Sequence, residues 1–349
     1  MKKLLPLLLI ALAAVSCKPA NRYIRIDGYA QGGTYTVKIN LTGVAVPPEE
    51  IRDSVEAILT RIDTTLSGYN KGSQLSALNR GESIVPNSLF REMYALAYDW
   101  FEKSEGALDF AAGPLYDAWG FGFREGNMPD DATIAELKGQ CGMKHMVRHI
   151  PEGAVSMKDL TTSPEATLSL NFNAIAQGYS CDLVAAYLYS IGVKDMLVDI
   201  GEIWCDGVNP SSAPWAVGID LPYDRPTDGS DTPGDKLQGI WTSGGKPCGI
   251  VTSGNYRKYY VKDGKKYAHT VDPRTGYPVE HQLLSATIVS PGSAADADAL
   301  ATFCMVVGPD GAKEVILSSE GIEGYLVCEA EDGSMEGWAS PGFVLTDER

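Results

Sequence analysis

The chain has 349 residues and a formal net charge of −16, with 45 acidic against 29 basic side chains, a balance unsuited to holding nucleic acid or anionic headgroups. Its seven cysteines include no Cys-x-x-Cys pair and only four histidines accompany them, which argues against a zinc site. Cofactor chemistry must therefore lean on oxygen ligands and backbone groups.

In chain order, Lys2 and Lys3 precede an apolar run from Leu4 to Val15, and Ala14 and Ser16 flank Val15 before Cys17. This is the layout of an export signal, too short to remain as a membrane span. A cysteine placed directly after small residues resembles the bacterial lipoprotein signal, in which that residue is lipidated and becomes the mature N-terminus. The plainer alternative is a signal peptide with an incidental cysteine. The expected organisation is a signal over 1–16, a lipidated tether over 17–24 and a catalytic body over 25–349. Loss of Lys2 and Lys3 with the signal moves the charge from −16 to −18, so membrane contact would come from the lipid at Cys17 alone.

Ile24 to Leu41 alternates and predicts a strand around Tyr35–Ile39. Pro47-Pro48 opens a helix with Ile51, Val55, Ile58, Leu59 and Ile62 at helical spacing through Leu66, and Leu89–Lys103 reads as a second helix. Residues 108–122, rich in glycine and aromatics, read as an ordered loop, and 130–160 as a short helix with strands. Ile175–Ile191 predicts a helix stopped by Gly192, followed by strands at Met196–Ile200 and Trp215–Leu221. Residues 222–238 read as a surface insertion. The last third alternates strands with one helix, Ala294–Val307, and closes with strands at Gly324–Cys328 and Phe343–Leu345. The mixture predicts an α+β protein. Cys181, Cys304 and Cys328 sit in apolar surroundings as buried thiols. An exported protein can pair some cysteines, but the spacing does not say which.

Three segments carry candidate chemistry. After the Pro291-Gly292 turn, Asp298 and Thr302 stand four apart on a helix, their oxygens on one face roughly 6 Å apart at Cβ. A carboxylate and a hydroxyl suit Mg²⁺; alternatively Asp296 and Asp298 simply favour the positive end of the helix. Asp272-Pro-Arg-Thr-Gly276 makes a tight turn, with His269 on a strand leading into it. His269 could bond a phosphate or flavin edge, or be a satisfied strand residue. The polar turn from Asn171 opens the helix at Ile175 with free N–H groups suited to an anion. Gly-x-Gly-x-x-Gly, P-loop and Gly-x-Ser-x-Gly patterns are absent, and Thr252-Ser-Gly254 reads as a turn before a strand.

Taken in order, these pieces resemble the ApbE family of FAD:protein FMN transferases. The resemblance runs from about Gly28 to Gly308. It is carried by Gly32-Gly-Thr-Tyr35; Ser67-Gly-Tyr-Asn-Lys-Gly-Ser-Gln-Leu-Ser-Ala-Leu-Asn79; Asp109-Phe-Ala-Ala-Gly-Pro-Leu115 with Trp119-Gly-Phe-Gly122; and Asn173-Ala-Ile-Ala-Gln-Gly-Tyr179 with Asp182. Thr252-Ser-Gly254, His269-Thr-Val-Asp-Pro-Arg-Thr-Gly276 and Asp298-Ala-Leu-Ala-Thr302 complete it.

The resemblance implies a single α+β catalytic unit of mixed sheets and helices after the lipoprotein signal. It implies Mg²⁺ held by Asp298, Thr302 and the carbonyl of Ala174, with FAD as substrate. FAD contacts map to Gln31, Tyr69, Leu108, Asp109, Phe110, Asn171, Gln177 and Thr270, and His269 would border the pyrophosphate. Tyr69 would be an aromatic platform, or else a core-packing ring. The implied reaction transfers FMN from FAD to a serine or threonine hydroxyl and releases AMP. Acceptors would be flavoprotein subunits of membrane redox complexes with a Thr-Gly-Ala-Thr-like segment, facing the periplasm. An FAD pyrophosphatase and a non-catalytic FAD-binding lipoprotein are the alternatives. Four departures stand out: Gln31-Gly32-Gly33 replaces a frequent Met-Gly-Thr, and Gln177 stands where lysine is common. Asn171 replaces a frequent aspartate, and Ile200-Gly-Glu202 carries one glycine where two are usual.

Overall fold

A hairpin opens the fold: β1 (Tyr23–Ala30) pairs with β2 (Gly33–Asn40) around Gln31 and Gly32, both at positive φ. The computed structural model describes residues 22–123, 128–222, 237–255, 259–262 and 265–346. The expected signal with Cys17, and all but the ends of the 222–238 insertion, lie outside the described residues. Tyr23 and Ile24 pair with Asn40 and Ile39, so the strand takes in two residues expected in the tether.

Helix α1 (Pro48–Leu66) starts where Pro48 fits the first turn and Glu49 and Glu50 meet the positive end; Ile51, Val55, Leu59, Ile62 and Leu66 are buried. Ser73 and Asn87 cap α2 (Gln74–Asn79) and α3 (Ser88–Lys103). Within the expected 108–122 loop lies α4 (Gly113–Ala118), too short to display a period. After α5 (Asp131–Gln140) and α6 (Met157–Leu160), the strands expected before residue 160 amount to isolated bridges, Ile84–Val155 and Met146–Thr161. Helix α7 (Ala176–Ser190) follows as expected.

Next come β3 (Met196–Asp199), β4 (Ile203–Asp206), β5 (Ala216–Asp220), β6 (Leu237–Thr242) and β7 (Cys248–Gly254). Thr252–Gly254 thus continues a strand instead of forming a turn. Hairpins β8 (Tyr259–Lys262) with β9 (Lys265–Ala268) and β10 (Val271–Asp272) with β11 (Tyr277–Pro278) come next. His269 sits on the bend between these hairpins, not on a strand. The chain closes with β12 (Leu283–Pro291), α8 (Ala294–Ser318), β13 (Glu323–Glu329), β14 (Met335–Ala339) and β15 (Leu345–Thr346). Helix α8 outruns its expected end at Val307, because the chain kinks at Gly308 (φ 78) and Pro309 starts a second helical segment.

An eight-stranded sheet in the order β1-β2-β3-β4-β7-β12-β13-β14, antiparallel throughout, forms the frame. Helices α1, α7 and α8 belong to the main core on one side. On the other, a β15-β6-β5 sheet closes a second core around Trp215, Trp241, Tyr325 and Phe343. The start of α8 is wedged between β7 and α7. A Cβ on Gly249 would strike the Ala294 backbone, and one on Gly178 would strike the Ala294 carbonyl.

Asp182 of α7 fastens this wedge. Its carboxylate accepts from Ala294 N (2.7 Å), Ala295 N (3.0 Å) and Ser293 Oγ (3.1 Å), covering the exposed N–H groups of α8. Burial pushes its carboxyl up from 3.8 to about 6; the three hydrogen bonds oppose the shift and the charge of Asp296 adds to it. The folded state therefore holds this proton more tightly than the unfolded chain does. The resulting stability is full below about pH 4 and fades as pH rises through 6.

Two outcomes are expected in chemical denaturation. Gly249→Ala should destabilise by about 2–3 kcal/mol, because the wedge is backbone and cannot step aside. The metal-free protein should lose midpoint between pH 5 and pH 8, and Asp182→Asn should be less stable throughout but show a shallower pH slope.

Candidate functional site

The hairpin tip at Gln31, the end of α1, the 107–110 loop, the turn before α7, the end of β7 and the first turns of α8 enclose a cleft of about 1970 Å³. It gathers Gln31, Tyr69, Leu108, Asp109, Phe110, Asn171, Ala174, Gln177, His269, Thr270, Asp298 and Thr302 in one place, although they are spread over most of the sequence. Cys17 lies outside the described residues.

Asp298 is buried at the cleft floor, 4% exposed, and its Oδ2 accepts from Gly178 N at 3.0 Å. Burial drives its carboxyl up, the Gly178 bond opposes this, and the nearby charge of Asp182 reinforces it. Among the described residues no cationic side chain pairs with it. Thr302, one turn on, has its Oγ1 3.4 Å from Ser253 Oγ. Gly178 N, placed to bond back four residues to Ala174, turns instead to Asp298. No described donor takes up the Ala174 carbonyl. The cleft therefore presents a carboxylate, a hydroxyl and a free carbonyl, a hard-oxygen set that fits Mg²⁺. No histidine, cysteine or further carboxylate joins them as a cluster among the described residues.

The walls are built from locked loops. Asp109 turns its Oδ1 to Ala111 N (3.0 Å) and Met143 N (2.8 Å), and its carbonyl accepts from Tyr116 OH (2.8 Å). Its carboxylate thus fixes the 108–111 loop, and burial raises its pKa against those bonds. Asn171 N donates to Phe110 O (2.8 Å), joining this loop to the turn before α7, and Asn171 Oδ1 accepts from Asn173 N (2.9 Å). Asn79 brackets Leu170 with two bonds of 2.8 Å. Gln31 Nε2 donates to Ser180 Oγ, pinning the hairpin tip to α7.

Tyr69 is 64% exposed at the rim, which rules out the core-packing reading. Its ring meets Phe123 edge-on at 5.1 Å and its hydroxyl accepts from Asn173 Nδ2 at 3.3 Å. Half-buried His269 meets Phe121 edge-on at 6.4 Å, and the Thr270 carbonyl accepts from Val279 N at 2.9 Å. Gln177 Nε2 reaches the Ile200 carbonyl at 3.4 Å over Gly201. Asp272 closes its turn by holding Arg274 Nε at 3.0 Å and its terminal nitrogen at 2.9 Å.

Ser253, Asp182 and Gly178 are the site-building residues missing from the sequence-based set. Each stands inside a quoted motif, but its role depends on a partner distant in the chain.

The family model described as the ApbE family matches residues 32–326. A Haemophilus influenzae FAD:protein FMN transferase is 30% identical, covering 97% of this chain and 96% of that protein. The Escherichia coli K12 protein of the same name is 33% identical over 84% of this chain and 81% of its own length. Among solved structures, the apo form of Pseudomonas stutzeri flavinyl transferase ApbE superposes with a TM-score of 0.77 at 31% identity, covering 92% of this chain and 95% of that one. A Vibrio cholerae flavin transferase ApbE gives 0.75 at 28% identity, covering 92% and 98%. With this match over most of its length, the chain belongs to the ApbE family.

Proposed function

We propose that this chain is an FAD:protein FMN transferase that moves FMN from FAD to a serine or threonine hydroxyl of an acceptor protein, releasing AMP. The observation that carries the reading is the trio of Asp298, Thr302 and the free Ala174 carbonyl in a cleft large enough for a dinucleotide. Mg²⁺ held there would neutralise charge on the diphosphate.

The chain's own residues set the geometry. The bond broken joins the FMN phosphorus to the AMP phosphate oxygen, the acceptor oxygen forms the new bond in line, and the hydroxyl proton is released to solvent as AMP leaves. Tyr69 and Phe123 offer an aromatic rim for a flat ring. His269, packed on Phe121, and Thr270 also line the cleft, where an imidazole N–H and a hydroxyl can bond phosphate oxygens. Gln177 supplies a neutral amide to the cleft.

The same reading places the protein outside the cytoplasm, anchored by lipid at Cys17, with a membrane flavoprotein subunit as acceptor. Residues 18–22 alone separate Cys17 from β1, a reach of roughly 20 Å. The cleft lies at the other end of β1, roughly 25 Å further on.

The test is the mass of a candidate acceptor domain incubated with the protein, FAD and Mg²⁺. A gain equal to FMN, abolished by EDTA, is expected, and Asp298→Ala should lower the rate at least about a thousandfold while the fold is kept. Free FMN and AMP without a mass gain would make the protein a pyrophosphatase, and intact bound FAD would make it a carrier. Gln177→Lys should tighten FAD binding about three- to tenfold at low salt and steepen its salt dependence, read by flavin fluorescence titration.

A further inference from the structure

Cys205 on β4 and Cys248 on β7 are directly opposed in the antiparallel register. Both are buried, and their sulfurs stand 3.7 Å apart. Opposed residues on antiparallel neighbours have Cα atoms about 4.5–5.5 Å apart, within the span of a disulfide. Among the described residues no other two thiols touch; Cys181, for example, donates to the Glu202 carbonyl at 3.0 Å. The pair belongs to the second core with Trp215 and Trp241, on the sheet face away from the cleft.

Its location gives the bond a purpose. Among the described residues, strands β1–β4 pair with the β7, β12–β14 half of the sheet only through β4 and β7, over three residue pairs. The chain between the cysteines leaves this sheet to build β5 and β6 before returning. Glu202, just before β4, and Ser253 and Gly254, ending β7, line the cleft. A covalent link at this joint would close the long excursion and fix two parts of the cleft relative to each other.

We propose that Cys205 and Cys248 form an intramolecular disulfide when the chain folds outside the cytoplasm, a proposal that rests on the export reading of residues 1–17. The oxidant is a disulfide of the thiol-oxidoreductase or glutathione class. One cysteine thiolate attacks it and expels a thiol; the second attacks the resulting mixed disulfide and expels another. The two protons leave with the two released thiols, and the oxidant takes the two electrons. The hydrogen bond with Cys248 and burial hold the folded Cys205 thiol far above its ordinary range. Both thiols are buried in the finished sheet, out of reach of an external oxidant, so the bond is made while the sheet is still closing.

The full chain, exported through its own signal, is denatured in iodoacetamide and digested. A peptide pair joining Cys205 to Cys248 that separates on reduction is expected. In parallel, the full chain is reduced, unfolded and refolded with oxidised glutathione. Alkylation of both cysteines in both preparations would overturn the pairing. A bond in the refolded protein but not in the exported one would support the pairing and overturn the export reading. Reductant should lower the melting temperature of the exported protein by about 5 °C and leave Cys205→Ser and Cys248→Ser unmoved, a difference that lost packing alone would not produce.

Discussion

Helices α7 and α8 exchange carboxylates at their N-termini, and the site depends on that exchange. Asp182 of α7 takes the first N–H groups of α8, while Asp298 of α8 takes the Gly178 N–H near the start of α7. Each acid satisfies donors that a helix start leaves open, and each lies in the positive field of the other helix. The exchange requires close backbones, which is why glycine stands at 178 and at 249 beneath the wedge. It also has a chemical by-product. By drawing Gly178 N away from Ala174, Asp298 leaves that carbonyl free beside its own carboxylate. One packing arrangement thus both holds the helices together and sets out the oxygen ligands.

The same exchange explains what could and could not be read from sequence. Strong periods gave α1 and α3 within a residue or two, because one face of each is buried against a single core, and α7 was placed as closely with the help of its Gly192 stop. The Asp298–Thr302 spacing was legible because both lie on one helix. Short α2 and α4 were not, since six residues hold too little of a period. Thr252–Gly254 looked like a turn because its small polar residues are turn formers; register with β12 makes it strand. The helix expected to end at Val307 runs on, because Pro309 begins a second segment after the kink at Gly308. Asp182 was visible only as part of a motif, since its partners lie more than a hundred residues away. Asp109 shows the reverse case: resemblance marked it as a ligand contact, and the structure finds its carboxylate tied to loop N–H groups.

The electrostatics of the cleft bear on how an acidic protein could hold a diphosphate. Its described lining includes Glu56, Asp63, Asp109, Glu202 and Asp298, and no lysine or arginine. Two like charges about 8 Å apart repel by about 2 kcal/mol at an effective dielectric of 20, so these carboxylates together would oppose a bare diphosphate. Apart from the His269 imidazole, the donors on the described walls are neutral: amides, hydroxyls and backbone N–H groups. They can orient phosphate oxygens but cannot offset their charge. A buried Asp298 with a raised pKa faces the complementary problem, a negative charge without a cation. On the proposed function both problems have one solution, a divalent ion shared by the protein and the diphosphate. Linkage then makes the affinities reciprocal: whatever the diphosphate adds to metal binding, the metal adds to diphosphate binding by the same factor. A lysine at position 177 would weaken that coupling by supplying part of the charge from the protein itself; on the proposed function, its absence would make the ion the main source of electrostatic attraction in this cleft.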